Sequence, residues 1–129
     1  MLISLRKRIG EIFNETKIRR YLFQSSDKRT LYGITAGSLE ANEELMNMGF
    51  EKIERALSLI KTYSPARFTQ IQRDVRRIFV FGDPTIVGRW HQDLQMCEID
   101  SGYLAALETS DAAVACTIIH EATHARLMR

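Results

Sequence analysis

The chain has 129 residues, of which 45% are hydrophobic and 26% are charged, and its formal net charge is +2. These values are typical of a soluble globular protein with one domain. No apolar run approaches the roughly 18 residues of a membrane span, and charges interrupt the segment after Met1 where a signal peptide would be apolar. We therefore expect one domain over residues 1–129, without a membrane span, in the cytoplasm.

The charged residues are unevenly distributed along the chain. Residues 1–30 contain eight Lys/Arg and three Asp/Glu, a net charge of +5, whereas residues 91–129 contain two and six, a net charge of −4. A basic amino-terminal segment can contact nucleic acid or an anionic membrane surface. No aromatic or glycine pattern of a nucleic-acid module accompanies it, so we expect a solvated helix face and no nucleic-acid partner.

Three helices and a pair of extended segments are predicted in the first part of the chain. Apolar residues at helical spacing predict an amphipathic helix over residues 2–13, and residues 21–37 indicate two short extended segments around a polar turn. Ser38 is a suitable N-cap for a longer helix to about Tyr63, and Ser64-Pro65 starts a short helix through Val75. The residues expected to face inward are Met46, Phe50, Ile53, Ala56, Leu57 and Ile60 in the longer helix, and Phe68, Ile71 and Val75 in the shorter one.

The second part of the chain predicts strands followed by a final helix. The β-branched and aromatic segment 76–81 is a strand that ends at Gly82-Asp83-Pro84. Residues 85–100 predict one or two further strands with a bend near Gly88, and a loop then leads to a helix capped by Ser110 or Asp111. The strand positions predicted on one face are Leu94, Met96 and Glu98, and those on the other are Cys97 and Ile99. This order predicts an α+β fold with helices packed on a small, mostly antiparallel sheet.

The final helix carries the sequence His-Glu-Ala-Thr-His at residues 120–124. Residues four apart lie on one face of a helix, so His120 and His124 can direct two imidazoles at one zinc ion. Glu121 projects from the neighbouring flank, where it can act as a base on a water molecule at the metal. The preceding segment 112–119 is almost entirely apolar, so we expect this helix to be buried where it reaches His120.

This helix resembles the active-site helix of the zincin superfamily of metallopeptidases. The likeness covers residues 76–129, although only the five-residue motif is specific. The resemblance implies that His120 and His124 are zinc ligands, that Glu121 is the general base, and that part of residues 85–100 is an edge strand that binds an extended peptide. The chain is most similar to a compact gluzincin, in which a glutamate on a later helix is the third ligand.

The residues after His124 do not include the third zinc ligand that the resemblance implies. The metzincin pattern requires Gly at the third position after His124, and this chain has Leu127 there. Three alternatives stay open: the natural protein continues beyond Arg129, an upstream residue serves, or water or a partner chain completes the site. The upstream candidates are His91, Cys97 and Asp100.

The two cysteines are too few for a disulfide framework. The pattern favours two buried free thiols over a bridge. Cys116 lies four residues before His120, and we interpret it as a packed core thiol.

The resemblance implies a zinc-dependent metallopeptidase that acts on a peptide or protein substrate. The alternative is a catalytically inactive metal-binding or interaction domain that keeps the motif helix without the full set of ligands.

Overall fold

The computed structural model describes residues 15–128. It contains helices and strands in one α+β arrangement, as predicted. Helix α1 covers residues 15–25, and the helix predicted over residues 2–13 lies outside the described residues. The later elements are β1 (Asp27–Leu31), β2 (Ile34–Ser38), α2 (Glu43–Tyr63), α3 (Pro65–Asp74), β3 (Arg77–Phe81), β4 (Gly88–His91), β5 (Met96–Asp100), α4 (Ser101–Ala105) and α5 (Asp111–Leu127).

The five strands form one open sheet in the order β1-β2-β3-β5-β4. The two outer pairings, β1 with β2 and β4 with β5, are antiparallel. The two inner pairings, β2 with β3 and β3 with β5, are parallel. The sheet is therefore mixed, and its antiparallel pairings lie at the two edges. Strand β4 forms one of these edges.

The two faces of the sheet pack against different helices, because successive side chains of a strand point to opposite faces. Cys97 and Ile99 of β5 lie in the main core, together with buried residues of α2, α3, α4 and α5. Met96, the first residue of the strand, packs instead with Phe23 of α1 in a smaller core. The predicted division of these strand residues between two faces is confirmed.

Helix α2 begins four residues later than predicted. Its N-cap is Asn42, whose Oδ1 accepts a hydrogen bond from the backbone N–H of Leu45 at 3.1 Å. Ser38 is instead the last residue of β2, where it pairs with Asp27 and Val80. Tertiary pairing of the strand therefore outweighs the capping preference of this serine. The predicted end at Tyr63 is confirmed, and five of the six predicted inward residues are buried, with Met46 partly buried.

The segment 21–37 differs from its prediction in its first five residues. Residues 21–25 continue α1, and the hairpin of β1 and β2 follows. The turn of this hairpin is Tyr32-Gly33, with φ angles of 52° and 83°. Positive φ at both central residues is the geometry that matches the twist of a two-residue hairpin, and glycine adopts it without strain.

The remaining elements follow the predictions closely. Helix α3 and strand β3 begin and end within one residue of the predicted limits. Residues 85–100 form two strands, β4 and β5, joined by a single 3-10 turn over Gln92–Leu94. The segment predicted as a loop after Asp100 contains the five-residue helix α4, which is too short to produce a periodic apolar pattern. None of the helices in residues 15–128 is long and apolar enough to cross a bilayer.

Candidate metal centre

Helix α5 packs against the sheet and α2 through one face only. Ser110 is its N-cap and accepts a hydrogen bond from the backbone N–H of Ala113 at 3.1 Å, as predicted. The small and branched residues that face the interior are Val114, Ala115, Ile118, Ala122 and Ala125. Alanine, cysteine and threonine occupy much of the outer face, so the apolar appearance of segment 112–119 overstates how much of the helix is buried.

The expectation that the helix is buried at His120 is wrong. The His120 side chain is 70% exposed, and His124 is exposed as well. Of the three candidate site residues, only Glu121 points inward, and its side chain is 7% exposed. The reason is the helical angle of about 100° per residue, which separates Glu121 from the two histidines and places it with the buried stripe.

The two histidines are arranged as a pair. Their Nε2 atoms lie 3.3 Å apart, and the rings are perpendicular with centroids 4.9 Å apart. Two nitrogens that bind one tetrahedral zinc ion at the usual bond length are also about 3.3 Å apart. The separation of the two nitrogens therefore matches that of a zinc site. Both rings are exposed, so the solvent can reach the pair.

Glu121 lies beside this pair and beneath the start of the edge strand. Its Oε1 is 3.9 Å from Nε2 of His120. A Cβ built on Gly88 of β4 would lie 3.4 Å from Cγ of Glu121 and 2.8 Å from Cγ2 of Thr117. The strand can approach α5 this closely because residue 88 has no side chain. The carboxylate of Glu121 is thus held between the edge strand and the histidine pair.

An open groove of about 630 Å³ lies between the edge strand and α5. Val87 and Gly88 form one wall, Tyr103 of α4 contributes to it, and His120 and Glu121 lie at one side. The Tyr103 hydroxyl is 3.4 Å from Oγ1 of Thr117. Sequence reasoning did not identify Tyr103 or Thr117 as groove residues. Tyr103 was missed because α4 was not predicted. Thr117 was missed because it lies in an apolar segment.

The upstream candidates for a third ligand are engaged elsewhere. Nε2 of His91 is 2.9 Å from Oε1 of Glu98, on the α1 side of the sheet. Asp100 caps α4, since its Oδ2 accepts from the N–H of Tyr103, and its Oδ1 accepts from the N–H of Asp83. Cys97 is fully buried, and that burial raises the pKa of its thiol, with smaller contributions from the nearby Glu121 and Glu98.

Within residues 15–128, one group of three or more His, Cys, Asp or Glu side chains has ligand atoms close enough to hold a metal. It consists of His120, Glu121 and His124, whose ligand atoms lie within 4.8 Å of one another. The structure therefore brings together all three motif residues and adds none of the upstream candidates to them.

Both cysteines are free, as predicted, but only one of them is buried. Cys116 is exposed and lines the groove next to His120, so its interpretation as a packed core thiol is wrong. The helical spacing that places residue 116 one turn before His120 also places it on the same exposed face.

Comparisons with known proteins do not add a family to this description. No protein-family model, curated protein or solved structure matches the chain. The geometry of the described residues is therefore the basis for the functional argument.

Proposed function

We propose that this protein is a zinc-dependent metallopeptidase of the zincin type. The observation that carries the proposal is the 3.3 Å separation of the two Nε2 atoms of His120 and His124, with the buried Glu121 carboxylate 3.9 Å from one of them. Two chance histidines on a solvated helix would not require a buried carboxylate beside them, and burial of a carboxylate is costly unless it is paired.

In the proposed mechanism, His120 and His124 hold the zinc ion and Glu121 moves the proton. A zinc ion held by these histidines would lower the pKa of a water molecule towards about 7 and would polarise the scissile carbonyl. Glu121 accepts a proton from the attacking water and then donates it to the leaving amine. Because this carboxylate is shielded from solvent by β4, its orientation is restricted before the substrate arrives, which is the arrangement expected of a general base.

The substrate-binding part of the proposal rests on β4. Among residues 15–128, this strand pairs with β5 on one side only, and the backbone N–H and C=O groups of its other side are those that an extended peptide would pair with. Gly88, the first residue of the strand, is also the point at which it passes over Glu121. A peptide paired along β4 would thus pass beside both the base and the histidine pair.

We propose a compact gluzincin arrangement in a single domain, acting on peptides or proteins in the cytoplasm. A third ligand would come from outside the described residues, from a partner or from water, since the upstream candidates are engaged in other contacts.

Zinc binding and hydrolysis test the proposal together. Metal analysis of the purified protein is expected to find one zinc ion per chain, lost in His120→Ala and in His124→Ala. His91→Gln is the matched control, because that histidine pairs with Glu98 and is expected to leave zinc binding intact. Cleavage of an unfolded protein substrate should be abolished by a chelator and restored by zinc. Zinc binding without any cleavage would instead support an inactive metal-binding domain.

A further inference from the structure

A second concave surface lies at the end of the sheet where the parallel strands β2 and β3 begin. Its six lining residues come from the hairpin turn, β2, the end of α3 and the start of β3: Gly33, Thr35, Gln72, Arg73, Arg76 and Arg77. We call this surface the arginine cleft. None of these six residues lines the groove of the metal centre. A ligand of the arginine cleft would therefore bind independently of the proposed peptidase activity.

The backbone around the arginine cleft is held by hydrogen bonds between distant segments. The N–H groups of Arg76 and Arg77 both donate to the carbonyl of Gln95, at 3.0 and 3.1 Å, and the carbonyl of Arg76 accepts from the N–H of Thr35 at 3.2 Å. Nε2 of Gln72 donates to the carbonyl of Tyr32 at 2.8 Å, which ties the hairpin turn to α3. The arginines therefore project from fixed positions.

The three arginines have little negative charge to balance them. Of the described residues, no Asp or Glu lines the cleft. Nε of Arg73 is 3.3 Å from Oδ1 of Asp74, but the arginine is 62% exposed, so this pair contributes little. Arg77 uses Nη1 to donate to the carbonyl of Leu94 at 2.6 Å. Within residues 15–128, the guanidinium of Arg76 makes no hydrogen bond or ion pair.

This surface has the donors and the space that an anion needs. Each guanidinium offers several N–H donors in a planar fork that matches phosphate oxygens, and the hydroxyl of Thr35 and the amide of Gln72 lie at the same surface. The cleft has a volume of about 560 Å³, and a Cβ built on Gly33 would meet no atom within 4 Å. There is room for a phosphate group and for the molecule that carries it.

We propose that the arginine cleft binds the phosphate group of a small phosphorylated molecule. An anion there would gain charge-assisted hydrogen bonds from the guanidinium groups that reach it. Arg76 is the primary contact, because its side chain is exposed and uncommitted. Arg77 is the more restricted contact, since its guanidinium is held by the Leu94 carbonyl and lies 5.9 Å from the Phe23 ring.

Amide chemical shifts of the metal-free protein, followed by NMR during a titration with inorganic pyrophosphate at about 0.15 M salt, test this inference. We expect saturable shifts at Gly33, Arg76 and Arg77. Arg76→Gln should weaken binding about tenfold or more, which is the loss of one charge-assisted contact. Arg20→Gln, at an exposed position on α1, is the matched control and should bind as the unchanged protein does.

Each outcome of this titration supports or contradicts the proposal. The double substitution His120→Ala with His124→Ala should leave pyrophosphate binding unchanged, which separates this site from the metal centre. A specific phosphate site should saturate below about 10 mM pyrophosphate, because weaker binding would not require specific contacts. The proposal would be overturned if the shifts did not saturate at that concentration. Equal weakening in Arg20→Gln, or equally tight binding of the dicarboxylate malonate, would show general charge attraction in place of a phosphate site.

Discussion

Gly88 at the start of β4 lies over Thr117 and Glu121 of α5, so closely that a single added Cβ would be 2.8 Å from Cγ2 of Thr117. Real Cβ atoms do not approach other atoms so closely, and the atoms that this Cβ would meet belong to the helix that carries His120 and His124. The spacing between the edge strand and the base is therefore determined by the absence of one side chain.

Substitution of Gly88 should separate the edge strand from the base. Gly88→Ala is expected to reduce hydrolysis about tenfold or more while zinc stoichiometry stays the same, because small misplacements of substrate relative to catalytic groups are costly. Gly82→Ala is the matched control, since its Cβ would lie 3.4 Å from Oγ of Ser101, an ordinary contact. Activity assays and metal analysis of both variants check this, and an active Gly88→Ala enzyme would contradict the proposed role of β4.

The exposed thiol of Cys116 should report on the groove. In the native protein, a thiol reagent such as DTNB is expected to modify Cys116 rapidly and Cys97 only after denaturation, because Cys97 is fully buried and burial raises its pKa. A bulky adduct on Cys116 should also block hydrolysis, since this residue lines the groove with His120. Cys116→Ser should remain active and become insensitive to the reagent; rapid modification of both thiols in the native state would contradict the described burial.

The buried carboxylate of Glu98 should make stability depend on pH. Burial alone would raise its pKa, but the hydrogen bond from His91 and the charge of Arg19, each at 2.9 Å, outweigh burial and hold the pKa below its ordinary value of 4.5. A carboxylate with a lowered folded-state pKa contributes stability at pH values above the unfolded-state pKa. This contribution is lost as the pH falls below about 4.5 towards the folded-state value.

Replacement of Glu98 by the uncharged Gln tests whether its carboxylate stabilises the folded protein. Glu98→Gln should lower the free energy of unfolding at pH 7 by about 3 kcal/mol, because Arg19 then loses its carboxylate partner at a largely buried position. The variant should also show a weaker loss of stability below pH 5 than the unchanged protein. Denaturant unfolding at a series of pH values measures both effects, with the exposed Glu108→Gln as control; identical pH profiles would contradict the described pairing.

Local patterns predicted most of the fold. Helix α3, strand β3, the facing of Cys97 and Ile99, and the cap at Ser110 follow from spacing and capping rules that act over a few residues. Ser38 failed as a predicted cap because it pairs with strands from two other parts of the chain. Such long-range pairing, like the parallel register of β2 and β3, leaves no local signal.

The candidate site was likewise predicted only in part. Helical spacing was sufficient to bring His120 and His124 together with Glu121 beside them. It did not reveal that the histidines are exposed while the glutamate is buried, because that depends on which face of α5 the sheet covers. It also did not link Gly88, predicted only as a bend, to Glu121 beneath it. Arg73, Arg76 and Arg77 likewise form a cleft only when the hairpin turn lies next to them.

The most direct test of the central proposal is the hydrolysis of an unfolded protein by zinc-loaded Glu121→Gln, measured beside the unchanged protein. The amide keeps the size of the side chain but cannot accept the proton from water. We expect zinc to be retained at the same stoichiometry and the rate of cleavage to fall by about 100-fold or more, the usual contribution of a general base. Cleavage at an undiminished rate in Glu121→Gln would contradict the assignment of Glu121 and, with it, the proposed peptidase mechanism.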